Sequence, residues 1–418
     1  MPKISLRLVT NLGLTTGLIL CLATGTAAQD QNAPASQDET TKQLQEQVRD
    51  LQANVKDLQS KLASVTAAAA SPPAAAPEPA PVIEQPPVNA VADRLKLLLF
   101  GDTGYQAGHF YGPTSTFEFG EFDMFATARL SDRVSVLAEI LFTSNSDNSV
   151  GLDIERLLLK YRQNEYFEAS IGRIHTAIGY YNTAFNRGDY FQTAIGRPAM
   201  FEFDDQGGFL PMQDLGITID GKLPSGKLGL NYVFEVTNGR DYGANVEPAQ
   251  NASDRNNSKG VNFNLSAKPE QVPGLVIGFS IRHDYLSDVL NQHVSEIIPV
   301  VYGVFANSTY EWLNEGMLVR HTLPGGAVYH TPGFYSQFSR AFGHFRPYFR
   351  YSYVNAPAND PIYGNPAEIP IVGRINGPAI GLRYDFTRHT AFKLQYDREA
   401  ARGEKSTNGG SGQFDFTF

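Results

Sequence analysis

Eight histidines stand at positions 109, 175, 283, 293, 321, 330, 344 and 389 of the 418-residue chain, and no two are four residues apart as zinc ligands on one helical face would be. Serines and histidines coexist, yet no local signature pairs a nucleophile with a base. Loop acids such as Asp284 and Asp288 lack the every-second-residue spacing closed by a glutamate that a calcium loop needs. These patterns argue against an enzyme and call for neither a metal nor another cofactor. What remains is fixed charge. The stretch 175–212 is rich in aromatics and carries Arg187, Asp189, Arg197, Glu202, Asp204 and Asp205. Basic groups precede it at Arg156, Lys160, Arg162 and Arg173, His175 opens it, and Arg346 and Arg350 follow much later. Acids on a connecting segment facing bases on a wall would set up a transverse field that orients polar solutes in a narrow passage, a task that requires no bond to form.

Such a passage needs a wall, and the pattern from Leu95 to Phe418 supplies one. In Phe345-Arg346-Pro347-Tyr348-Phe349-Arg350-Tyr351-Ser352-Tyr353 the odd positions are apolar or aromatic, and the even ones include Arg346, Arg350 and Ser352. The same period of two runs through Ala391 to Asp397 and through Val134, Val136, Ala138, Ile140 and Phe142. Strands are expected to start near Leu95, Thr116, Arg133, Leu152, Phe167, Asp214, Leu228, Val261, Gly274, Glu296, Thr309, Val328, Phe345, Arg374, Thr390 and Gly412, which makes 16. Tight turns at Ser131-Asp132, Pro224-Ser225-Gly226 and Thr387-Arg388 alternate with long connections at 143–151, 175–212, 238–260, 284–295, 355–373 and 401–411. Even strand number, strand length near 10 residues and alternating loop length predict an all-β antiparallel transmembrane barrel, with one face toward lipid and the other toward a lumen. Because inside and outside alternate, each basic candidate either lines the lumen or pairs on the rim. Arg173 is the doubtful one: alternation from Phe167, Ala169 and Ile171 turns it outward unless Gly172 makes a bulge.

The N-terminal part reads differently. Lys3 and Arg7, the apolar run Leu12 to Leu22 and the small residues Thr26-Ala27-Ala28 form an export signal over residues 1–28. Its removal takes the net charge from −9 to −11 and removes the one cysteine, Cys21, so the mature chain has no thiol chemistry. A flexible segment, 29–43, leads to a coiled coil over 44–65. There Leu44, Val48, Leu51, Val55, Leu58, Leu62 and Val65 repeat in steps of four and three and fall on one helical seam. Residues 66–94 form a linker in which seven prolines, at 72, 73, 77, 79, 81, 86 and 87, keep the chain extended. No other apolar run reaches the ~18–20 residues of a membrane-crossing helix. The negative charge leaves no basic stripe for nucleic acid.

The chain ends Gln413-Phe414-Asp415-Phe416-Thr417-Phe418. A terminal phenylalanine after alternating aromatics resembles the signal by which bacterial porins address the barrel-assembly machinery, with Phe414, Phe416 and Phe418 carrying it. The coil and spacer resemble the coiled-coil-bearing porins of the DcaP type and the sucrose-type porins. The stretch Ile171-Gly172-Arg173-Ile174-His175-Thr176-Ala177-Ile178-Gly179-Tyr180 is similar to a motif of the phosphate-selective porins O and P, with Ile174 and Ala177 in place of Phe and Pro. The barrel has few lysines, whereas a lysine-rich path serves phosphate in those relatives. The resemblance implies a homotrimer in outer-membrane lipid, passing small hydrophilic solutes past an inward-folded 175–212 loop, with the coil in the periplasm. The alternative is a plugged barrel that anchors the membrane while coil and spacer reach toward the cell wall. Residues 95–418 carry 27 Lys and Arg against 34 Asp and Glu, but long loops hold many of the acids, so net charge does not decide ion preference.

Overall fold

The computed structural model describes residues 94–144, 149–185, 192–202, 208–240, 257–287, 293–363, 373–402 and 405–418. All belong to the second of two compact units, Gln85–Phe418. The export signal, the flexible segment, the coiled coil and, Arg94 apart, the linker lie outside the described residues.

Sixteen strands follow one another along the chain. The first eight are β1 (Leu95–Ala107), β2 (Thr116–Arg129), β3 (Val134–Ser144), β4 (Val150–Asn164), β5 (Phe167–His175), β6 (Gln213–Lys222), β7 (Leu230–Thr237) and β8 (Gly260–Ala267). The second eight are β9 (Leu275–Ser287), β10 (His293–Ala306), β11 (Tyr310–Thr322), β12 (Val328–Arg340), β13 (Phe345–Asn355), β14 (Arg374–Thr387), β15 (Thr390–Ala401) and β16 (Thr407–Thr417). Each pairs with its sequence neighbours, and β16 returns to β1 to close the barrel. The closing seam is antiparallel from Phe100 opposite Thr417 to Ala107 opposite Gly410. Closure leaves no edge strand among the described residues, which removes the main aggregation hazard of a large sheet. Among the described residues no helix is long and apolar enough to cross a membrane; all the strands but β7 and β8, which have 8 residues each, reach the ~9–11 residues of a tilted membrane-crossing strand.

Alternation sets the two faces. Phe117, Leu152, Ile171, Trp312 and Phe349 point outward and are largely exposed on the isolated chain, while Asp123, Glu139, Arg282, Glu296, Lys393 and Asp415 point inward and are buried. Burying charge and exposing aromatics inverts the usual globular arrangement, and it is stable only where lipid covers the outside. Short turns gather at one end of the barrel, between β2 and β3, β4 and β5, β10 and β11, β12 and β13, and β14 and β15. The longest connections, 176–212, 238–259 and 356–373, gather at the other.

The strand starts fall within three residues of expectation except in β16, which begins at Thr407 and not near Gly412. Gly409, Gly410 and Gly412 carry no side chain to display a period of two, yet their backbones are paired in the sheet, with Gly410 opposite Tyr396 and Ala107. Three expected long connections are shorter for the related reason that pairing continues into polar sequence: β3 runs to Ser144 and β4 starts at Val150, β9 runs to Ser287 and β10 starts at His293, and β15 and β16 are separated only by 402–406.

Candidate functional site

The described residues of the connection from β5 to β6, 176–185, 192–202 and 208–212, lie against the inward faces of several strands, so their backbone needs partners that no ladder provides. Side chains of the wall supply them. Glu235 on β7 accepts from the Ala177 N–H at 3.0 Å, and Asn264 on β8 donates to the carbonyls of Ala177 and Gly179 at 2.9 and 3.2 Å. Ser280 on β9 accepts from the Gly179 N–H at 2.9 Å. Glu315 on β11 accepts from the N–H groups of Tyr180 and Tyr181 at 2.7 and 2.8 Å, and from the Tyr335 hydroxyl at 2.7 Å. Gly179 has φ 68°, and a Cβ there would lie 2.3 Å from a Glu315 oxygen, so only glycine passes this point.

Farther along, Gln395 on β15 clasps Ile195 through both its N–H and its carbonyl, each at 2.9 Å. Arg350 on β13 donates to the carbonyls of Gly196 and Ile195 at 2.7 and 3.1 Å. Beyond these clasps the segment also packs through its apolar side chains. Phe201 stacks on Tyr181 at 5.5 Å between ring centroids, and Tyr335 meets both rings edge-on. Met200, Phe209 and Leu210 extend this cluster against Val300, Leu313 and Met317 on the inward face of β10 and β11.

A different wall occupies β3 to β6. Arg156 donates to Glu139, with its guanidinium 5.4 Å from the centre of the Phe125 ring. His175 Nε2 lies 3.6 Å from Glu155 and 3.9 Å from Glu139. Gln213 bridges the group, donating to Glu155 and accepting from Arg173 Nε at 3.0 Å, while Arg173 Nη1 reaches Asp153 at 3.5 Å. Lys160 and Arg162 share Glu168, Lys160 at 3.5 Å. Two irregularities build this wall. Glu139 pairs with Arg156 and Ile140 with Ile154, which leaves Glu155 as an extra residue on β4. Gly172 has φ 136°, outside regular strand conformation, and the Arg173 side chain after it joins Asp153 and Gln213.

Five of the sequence candidates, Arg156, Lys160, Arg162, Arg173 and His175, therefore share one wall. Arg350 and Arg197 serve the segment: Arg197 donates to the Phe201 carbonyl and lies 5.2 Å from the Tyr181 ring centre. Arg346 sits near the short-turn end, bonded to Ser339 Oγ at 3.2 Å and the Ser308 carbonyl at 3.3 Å. Glu202 is half-buried at the end of the short helical turn Ala199–Phe201. Arg187, Asp189, Asp204 and Asp205 lie outside the described residues.

Sequence reasoning missed a buried ionic network at the long-loop end. Arg240 donates to Glu296, and its N–H donates to Asp284 at 2.9 Å. Arg282 pairs with Asp214 at 2.7 Å and Asp284 at 3.2 Å, and His321 bridges Asp360 at 2.7 Å and Glu296 at 3.0 Å. The available signal was parity: Arg282 and Asp284 alternate with the outward Ile281 and Tyr285. Tyr111, in the connection after β1, donates to Asp397 at 2.5 Å, and its oxygen accepts from the Ser411 hydroxyl at 2.9 Å. Burial, reinforced by the Asp397 carboxylate, pushes its phenol well above the usual range, so it stays a neutral donor.

No protein-family model matches the chain, and comparison with curated proteins finds no match. Solved structures do match by fold. The anion-selective porin from Comamonas acidovorans aligns with a TM-score of 0.54 at 11% identity, over 78% of this chain and 99% of that one. Salmonella typhi OmpF in complex with daunomycin gives 0.55 at 10% identity, over 78% and 97%. The fold is that of an outer-membrane porin. The outer-membrane channel DcaP of Acinetobacter baumannii gives 0.52 at 10% identity, again over 78% and 97%. In this porin-fold barrel the described residues of the 176–212 connection and the ionic groups of β3–β6 lie against or on the inward face of the strands.

Proposed function

We propose that the protein is a bacterial outer-membrane porin that lets small hydrophilic solutes diffuse through its lumen. The observation that carries this reading is the 176–212 segment, clasped by Glu315, Arg350 and Gln395 on one side of the barrel while the ionic wall of β3–β6 keeps Asp153, Lys160 and Arg173 in contact with solvent. Charged groups that meet water along a barrel wall are what a passage for polar solutes requires. In this reading residues 1–28 direct export, Phe414, Phe416 and Phe418 are read during barrel assembly, and the coil of 44–65 ties protomers together in the periplasm. A homotrimer agrees with the trimer form of Vibrio cholerae OmpT, a barrel of similar fold.

The second reading, a plugged anchor, draws support from the inward side chains of β9–β13, which are buried beneath the segment. Single-channel conductance of refolded, heat-modifiable protein in a planar bilayer separates the two. Openings in groups of three, with a reversal potential across a salt gradient, support the trimeric porin. Silence from folded protein would sink it in favour of the anchor.

A further inference from the structure

On the inward face of β16, Gly409 alternates with Ser411, Gln413 and Asp415. A Cβ at Gly409 would lie 2.6 Å from the Tyr111 ring and 2.9 Å from the Ala107 carbonyl oxygen, so the bare backbone leaves a seat for that ring inside the barrel. Tyr111 belongs to the connection from β1 to β2, residues 108–115, which bends over the rim of β16: the Phe110 N–H donates to the Asn408 carbonyl at 3.0 Å and the Tyr111 N–H to that of Gly108 at 3.1 Å. The phenol then spans β15 and β16 through Asp397 and Ser411. Asp397 carries the contact onward. Its carboxylate accepts from Gln395 Nε2 at 2.9 and 3.0 Å, and the same Gln395 amide holds both backbone groups of Ile195. Tyr348 on β13 donates to Gln395 Oε1 at 2.8 Å and fixes the orientation of the amide. An unbroken run of hydrogen bonds, Tyr111 to Asp397 to Gln395 to Ile195, therefore joins the first connection to the 192–202 stretch across the inward face of β15.

We propose that the 108–115 connection is a second arm of the constriction, and that Tyr111 is the positioning residue which, by holding both arms, sets the largest solute the barrel passes. This rests on the porin reading and adds to it a residue from outside the 176–212 segment. Wall side chains from Glu235 on β7 to Gln395 on β15 hold the segment, and Tyr111 extends the inserted chain to β16, the strand that closes on β1. What is left for passage is the side of β1 to β6. The Tyr111 ring, at the edge of that opening, takes cross-section directly. Its hydroxyl acts at a distance, because losing the bridge takes a partner from Asp397 and with it one restraint on Gln395 and Ile195, members of one network.

The test uses the full refolded chain in liposomes, with swelling in arabinose and in raffinose, two uncharged sugars of different girth on which the wall charges exert little pull. Tyr111→Ala should raise the raffinose-to-arabinose rate ratio several-fold, while heat-modifiable migration shows that the barrel has formed. Tyr111→Phe keeps the ring and loses the bridge, so its ratio should lie between wild type and alanine. In that variant, in detergent, the amides of 192–202 should exchange about fivefold faster, the factor that one hydrogen bond of ordinary strength supplies. A tyrosine that served only as a structural peg would cost heat stability and leave the ratio where it was. An unchanged ratio in a folded Tyr111→Ala overturns the proposal, and so does wild-type exchange of 192–202 in Tyr111→Phe. Should Tyr111→Ala not fold, Tyr111→Phe decides by the same two readings. A wild-type barrel that passes neither sugar nor ion defeats the porin reading and the size limit with it, whereas one that passes arabinose and keeps its ratio in the variants defeats this proposal alone.

Discussion

The two sides of the lumen solve opposite problems. On β10 and β11 the inward face carries an apolar row, Val300, Val304, Leu313, Met317 and Val319, buried in one cluster with residues of the 176–212 connection, and the charged groups interleaved with it, Glu296, Glu315 and His321, are buried and paired. On β3–β6 the inward face is ionic, with Glu139, Arg156, His175, Glu155, Gln213, Arg173 and Asp153 linked in sequence. The first side behaves like half of a globular core whose other half is the segment, so its side chains obey burial and packing. The second meets water at Arg173 and Asp153, and its side chains, most of them buried, obey charge complementarity. Where the segment lies, the inner face therefore alternates apolar packing with polar side chains that satisfy the segment's backbone, such as Glu315, Arg350 and Gln395.

Removing the packing should do most to erase this contrast. Phe201 is fully buried between Tyr181 and Tyr335, and Phe201→Ala should weaken docking of the segment by about 3–5 kcal/mol. Protease cleavage within 176–212 and single-channel conductance should both rise; if neither changes, the segment is not held by its apolar side. Glu315→Ala comes next. It strands the N–H groups of Tyr180 and Tyr181 and the Tyr335 hydroxyl, at a cost of ~1–3 kcal/mol for a group left unpaired. Glu315→Gln keeps an acceptor oxygen and should fall between wild type and alanine in urea unfolding midpoint, an ordering that pure packing would not produce.

The same contrast explains what the sequence reveals. Outward aromatics alternating with polar residues made the strands of β13 and β15 readable, because lipid and lumen impose opposite demands on successive positions. In β10 that signal weakens: Val300 faces in and Val301 faces out, and both are apolar because the inserted segment makes the inside as dry as the lipid side. Glycines in β16 erased it altogether. The basic candidates on β4 and β5 were legible as charges, but which of them meet followed from the extra residue at Glu155 and the φ of Gly172, both non-local consequences of pairing. Arg350 and Arg197 read as pore residues for the same reason: a sequence displays charge, not the backbone carbonyl that charge will hold.

Smaller effects should separate the two walls by charge. Arg173→Ala leaves Asp153 and Glu155 without their basic neighbour on the solvent-touching side. A partly exposed pair of this kind contributes about 1 kcal/mol or less, so the unfolding midpoint should barely move. The reversal potential across a salt gradient should nevertheless shift toward cation preference, and an unchanged potential would place Arg173 off the conducting path. Asp132→Asn is the smallest change. Asp132 meets Arg129 at 2.8 Å in the turn between β2 and β3, where both side chains are open to water and salt screens their attraction. Neither midpoint nor reversal potential should respond. A selectivity change there would mean that charge at the short-turn rim reaches the permeating ion, and that the field is not set by the β3–β6 wall alone.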